Sequence, residues 1–227
     1  MTSSRDTVFA SVRRALGTTG KEAPRLQEVA DRLAGHPRGV IPQRAQLAPA
    51  ARLDLFKEMA LAAAATLDHL AAPDDVPGAV AAYLRERNLP PTILRGADAR
   101  LADLPWSREP HLDVWIGASD GRQLAGLSHA FAGIAESGTL VMLSGPDNPS
   151  TLNLLPDHHL VVVRAEDVTG DYESVWDRIR ALYGAGTLPR TVNWITGPSR
   201  SADIEQTLLL GAHGPRSLHI LLVGLPA

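Results

Sequence analysis

The 227 residues contain no cysteine. Disulfides, a thiolate nucleophile and a structural cysteine–zinc site are excluded with it. Stability then needs no oxidising compartment, so a cytoplasmic location is the default expectation. Iron–sulfur clusters are held by cysteine thiolates, which places any such redox chemistry on a partner. Aromatic residues are scarce at 4 %, leaving Ala, Leu, Val and Ile to fill the core. A basic field is also missing: the net charge is −3 and the arginines are scattered, which sets nucleic-acid binding aside. No run approaches the ~18 apolar residues that span a bilayer. The opening MTSSRDTVFASVRRAL carries charges throughout and lacks a continuous apolar stretch, so it is not read as a secretory signal. HxH, HExxH and acidic metal-loop spacings are absent, and neither a metal nor a cofactor is expected.

What is present is a globular composition, 44 % hydrophobic, in a length that suits one α/β domain with extra helices. Residues 4–16 place Val8, Phe9, Val12 and Leu16 at helical spacing. That stripe must cover either the chain's own core or a neighbouring subunit, which leaves a homo-oligomer open. From Gly17 to about Ala50 the Gly and Pro density predicts irregular chain, with one helical turn around Leu26–Leu33. Residues 51–70 read as a helix through Phe56, Ala60, Ala63, Leu67 and Leu70, and a second helix is predicted at about 77–88. Short apolar runs then follow at 92–95, 113–117, 139–143, 159–163, 191–196 and 218–223, with a helix at 171–183. Alternating strands and helices predict an α/β fold, a mostly parallel sheet with flanking helices. The expected organisation is an extension over 1–50 and an α/β domain over 51–227, with a helical layer to about 90 and the sheet core at 91–227.

Open parallel sheets bind ligands beyond the carboxyl ends of their strands, so the turns after strands are where chemistry is sought. In FAGIAESGT (131–139), Glu136 precedes Ser137, Gly138 and Thr139. A carboxylate on a glycine turn can act as nucleophile or base, or simply satisfy local N–H groups. In TGPSRSADIE (196–205), Gly197, Ser199, Arg200 and Ser201 can cradle an anion, whereas Asp203 and Glu205 favour a capped helical turn. GAHGP (211–215) sets His213 beside Gly214 on an accessible turn, as a general acid–base or a turn-closing group. The two turns are expected to bring Ser199, Arg200, Asp203 and His213 toward one site, with Glu136 and the ligand contacts Ser137, Gly138 and Thr139 approaching from the neighbouring strand. His158 and His159 are adjacent, and adjacent strand positions point to opposite faces, so the pair is poorly placed to chelate one metal. The loop at 144–156 reads as a surface turn whose polar side chains can still reach a crevice mouth.

The runs GIAESGTLVML, LNLLPDHHLVVV and TGPSRSADIEQTLLLGAHGPRSLHILLVG, in that order, resemble the lactate-utilisation protein C family, the LUD domain. The resemblance implies a fold like that of the sugar-phosphate isomerase and CoA-transferase group. It also implies a role in oxidising L-lactate to pyruvate beside partner proteins that carry iron–sulfur clusters. Two alternatives stay open: a free-standing enzyme of the CoA-transferase or isomerase type using Glu136, and a small-anion module binding a carboxylate or phosphate.

Overall fold

The computed structural model describes residues 3–201 and 209–224. Two compact units are present, Met1–Val40 and Ile41–Ala227.

The first unit holds α1 (Ser4–Ala15) and α2 (Ala23–Gly35). Ser3 and Asp6 form a capping box at the start of α1, and Arg13 and Arg14 occupy its last turn, where cations suit the helix dipole. The second helix corrects the expectation of irregular chain. Pro24 sits in its first turn, where a missing N–H costs nothing. The surrounding Gly and Pro residues had masked the spacing of Leu26, Val29 and Leu33, all of which are exposed.

The second unit runs α3 (Pro49–Ala62), β1 (Thr66–Leu70), α4 (Val76–Glu86), β2 (Thr92–Arg95), α5 (Ala99–Ala102), β3 (Asp113–Ile116), β4 (Ala125–His129), β5 (Ala132–Ile134), β6 (Thr139–Leu143), α6 (Thr151–Leu154), β7 (His158–Arg164), β8 (Val168–Thr169), α7 (Tyr172–Tyr183), β9 (Val192–Ile195), β10 (Arg200–Ser201), β11 (Leu209–Leu210) and β12 (Ser217–Val223). Six strands form a parallel sheet in the order β1-β12-β7-β4-β2-β3. The predicted α/β class with a mostly parallel sheet and flanking helices is therefore what the chain adopts. A second sheet, β8-β5-β6-β9, is mixed, with β6 antiparallel to both neighbours. The runs at 139–143 and 191–196 were expected in the parallel sheet and belong to this second one instead.

Strand alternation sorts the core into layers. Val161 and Val163 of β7, with Ile220 and Leu222 of β12, meet Phe56 and Ala60 of α3 and Leu140 and Met142 of β6. On the opposite face Leu160, Val162, Leu221 and Val223 pack on Val80 and Leu84 of α4 and Leu101 of α5. Val175 and Ile179 of α7 cover the outer face of the second sheet.

The expected helix at 51–70 stops at Ala62, and 66–70 is an edge strand paired with β12. Ala65 N–H donates to Ala60 and Ala64 N–H to Leu61, a Schellman ending with Ala64 left-handed at φ 66°. Glycine is the usual residue there, so the stop signal is missing from the sequence. Strands β4 and β5 escaped prediction because they are built around small residues. A Cβ on Gly126 would lie 2.8 Å from Pro156 Cγ, and one on Gly133 would lie 3.1 Å from Phe56.

Candidate functional site

The last residues of β9 and the two turns at 196–199 and 213–215 enclose a cavity of about 250 Å³ with Asn153 and Leu154 of α6, His159 of β7 and Leu218 of β12. His159 pairs with Leu218 and Gly126 at the amino ends of β12 and β4. The site therefore lies at the opposite end of these strands from the carboxyl ends at which the sequence predicts a ligand crevice. At the carboxyl ends of β2 and β4 the space is filled instead. Arg100 pairs with the buried Asp98 at 2.6 Å, and Asn148 Nδ2 donates to the same carboxylate at 3.1 Å. Burial pushes the Asp98 carboxyl up, but its bonds and charge contact with Arg100 win and hold it at about 2. The void beside them measures only about 10 Å³.

His159 has no solvent exposure. Its Nε2 lies 3.1 Å from Ser128 Oγ, and Ser128 Oγ donates to Asn153 Oδ1 at 3.0 Å. A hydroxyl has one proton, so Ser128 can only accept from the ring, which puts the imidazole proton on Nε2. Nδ1 is then a lone-pair acceptor, and it has no hydrogen-bond partner among the described residues. Burial pushes the ring down to about 3, so it is neutral near pH 7. His158 points the other way, to Tyr83 Oη at 3.0 Å. The predicted divergence of the pair holds, and it is His159 that the sequence reading undervalued. Its signal was a histidine at the polar-to-apolar boundary of HHLVVV.

The expected site residues fall into three groups. Gly197, Ser199, His213 and Gly214 line the cavity, with His213 exposed at its rim. Ser199 N–H donates to Pro215 O and Ser199 O accepts from Gly211, which ties the two predicted turns into one wall. Ser137 and Thr139 lie behind that wall in a hydroxyl network. Thr139 Oγ1 is 2.6 Å from Thr196 Oγ1, 2.7 Å from Ser137 Oγ and 3.0 Å from Tyr172 Oη, and Thr196 lines the cavity.

The remaining residues are directed elsewhere. Glu136 is buried, and its Oε1 accepts from Tyr172 N at 3.2 Å, at the first residue of α7. A carboxylate there complements the positive end of the helix. The space over Gly138 is taken by α3, since a Cβ would lie 2.3 Å from Ala60 N. Gly197 meets the end of the same helix, with a Cβ position 2.0 Å from Ala63 O. Arg200 donates to that carbonyl at 3.1 Å and is not part of the cavity lining. Asp203 and the Ser201 side chain lie outside the described residues. Among the described residues no group of three His, Asp or Glu is placed to hold a metal.

A larger groove of about 540 Å³ runs past Leu94, Trp115 and Leu124 near the edge of the parallel sheet. Its charged groups, Asp120 and Arg122, pair with each other at 3.7 Å and are largely exposed. The smaller cavity is the stronger site because a buried acceptor on its wall lacks a donor among the described residues.

Residues 51–223 match the family model described as the LUD domain. The chain belongs to the LUD domain family. It is similar to a protein of Deinococcus radiodurans named lactate utilization protein C, with 30 % identity over 192 residues, covering 81 % of this chain and 84 % of that one. An uncharacterised protein of Neisseria meningitidis serogroup B is 35 % identical over 127 residues, covering 56 % of this chain and 53 % of that protein. The chain spans about half the length of the first curated relatives it matches. A crystal structure of a DUF162 family protein from Deinococcus radiodurans superimposes with a TM-score of 0.59 at 25 % identity, covering 78 % of this chain and 99 % of that one. No helix among the described residues is long and apolar enough to cross a membrane.

Proposed function

We propose that this LUD domain protein serves L-lactate utilisation as the subunit that binds the small hydroxy acid, beside partners that carry iron–sulfur clusters. The observation that carries the reading is the similarity to the Deinococcus protein named lactate utilization protein C, which extends over 81 % of the chain. The site chemistry agrees with it. Converting a 2-hydroxy acid to a 2-keto acid releases two electrons and two protons. The 227 residues contain no thiolate to hold a cluster, so an iron–sulfur acceptor for those electrons sits on another molecule. What this chain contributes is binding and orientation in the cavity of about 250 Å³, a volume that suits a small organic acid. Its polar wall combines the hydroxyls of Thr196 and Ser199, the imidazole of His159 and, at the rim, His213.

The test is genetic and biochemical. A deletion strain of the source organism should lose growth on L-lactate and regain it with the intact gene, and the tagged protein should co-purify with an iron–sulfur protein. Undiminished growth on L-lactate as sole carbon source, or purification without any such partner, would overturn the proposal.

A further inference from the structure

We infer that Nδ1 of His159 is the acceptor for a ligand hydroxyl, so that the cavity selects an alcohol over the corresponding ketone. The inference deepens the lactate reading and rests on it for the choice of ligand, but its physical basis is independent. Three observations converge on the ring. It lines the cavity; it has no accessible surface, so a ligand oxygen reaches Nδ1 by a small shift of the side chains around it; and one of its two nitrogens is without a partner among the described residues while the other is held.

The Ser128–Asn153 pair selects this tautomer. Asn153 Oδ1 takes the only proton Ser128 has, Ser128 Oγ therefore takes the proton on Nε2, and Nδ1 is left with a lone pair. Ser128 and Asn153 are positioning residues in this arrangement, since they act on the ligand through His159. Burial keeps the ring neutral at physiological pH, so Nδ1 does not become a donor by protonation. A buried acceptor without a donor is costly. A ligand O–H removes that cost. A keto oxygen cannot, because it would bring a second lone pair against the first. Sites built to hydrogen-bond a ligand hydroxyl reject analogues that lack it far more strongly than apolar pockets discriminate by size.

The experiment uses the full chain, labelled with nitrogen-15 at histidine, titrated separately with L-lactate, pyruvate, glycolate and glycerol. L-lactate is expected to bind at least ~10-fold tighter than pyruvate and to move the His159 Nδ1 resonance, which pyruvate should leave in place. In His159→Phe the preference should fall to about twofold or less, with pyruvate binding little changed. Ser128→Ala, which frees the tautomer without emptying the cavity wall, should weaken the preference as well, and it carries the test if His159→Phe does not fold. If glycolate or glycerol moves the Nδ1 resonance and L-lactate does not, the hydroxyl acceptor stands and the lactate reading falls. Saturable binding of L-lactate and pyruvate with equal affinity, or an Nδ1 resonance that no hydroxyl compound moves, overturns the inference.

Discussion

Replacing His159 by glutamine should make the protein less sensitive to acid. Its imidazole is wholly buried, and burial lowers its pKa from 6.5 to about 3. Below pH 6.5 the unfolded chain takes up a proton that the folded chain refuses, so stability falls with pH until the folded pKa is reached. Each pH unit in that window costs about 1.4 kcal/mol for one proton, which amounts to about 2 kcal/mol by about pH 5. His219, lowered to about 4 by burial against the opposing pull of Asp68, adds a loss of the same sign. His129 and His158 are lowered too, again first by burial. These three remain in the variant, so the difference between the two proteins is the single proton of His159. The glutamine amide can still donate to Ser128 Oγ, which keeps that hydroxyl satisfied. Urea unfolding at half-unit steps from about pH 8 to pH 4, with the m-value checked at each step, reads the result directly. The wild-type curve should fall more steeply than His159→Gln by about 1.4 kcal/mol per pH unit between about pH 6 and pH 4. Parallel curves would show that the ring is protonated or solvated in the folded state. The tautomer argument for the cavity would then fail with it.

Two further predictions concern the joints that hold the cavity. Ala64→Gly should raise stability by about 1 kcal/mol, because Ala64 is left-handed at φ 66° in the Schellman ending of α3; a thermal midpoint equal to or below wild type would refute this. Gly138→Ala should cost about 3 kcal/mol, since the residue has φ 66° and its Cβ would lie 2.3 Å from Ala60 N. Chemical denaturation measures that loss, and a change below about 1 kcal/mol would mean that α3 does not sit against the turn as described.

Part of the candidate site was legible from local chemistry. Glycine and proline marked the turns at 196–199 and 211–215, and both contribute to one wall through the Ser199–Pro215 and Gly211–Ser199 backbone bonds. Period-two alternation separated His158 from His159 without any coordinates. The residues that read as most reactive fared differently, since Glu136 serves the first residue of α7 and Arg200 the last turn of α3. A carboxylate beside glycine looks the same in sequence whether a substrate or a helix end occupies the space in front of it. His159 was undervalued for the converse reason. Its importance comes from Ser128, thirty-one positions away, and no local pattern signals that partner.

The sequence by itself determined the α/β class, the apolar strands at the centre of the parallel sheet, the exclusion of thiolate chemistry and the family. Each of these depends on residue type and short-range periodicity, which survive without knowledge of the fold. Tertiary structure decided which strands share a sheet, that α3 ends at Ala62 without a glycine, and which end of the parallel strands carries the cavity. Those outcomes depend on backbone pairing between distant segments and on where small residues let elements approach. Both are properties of two stretches of chain together, and neither stretch encodes them alone.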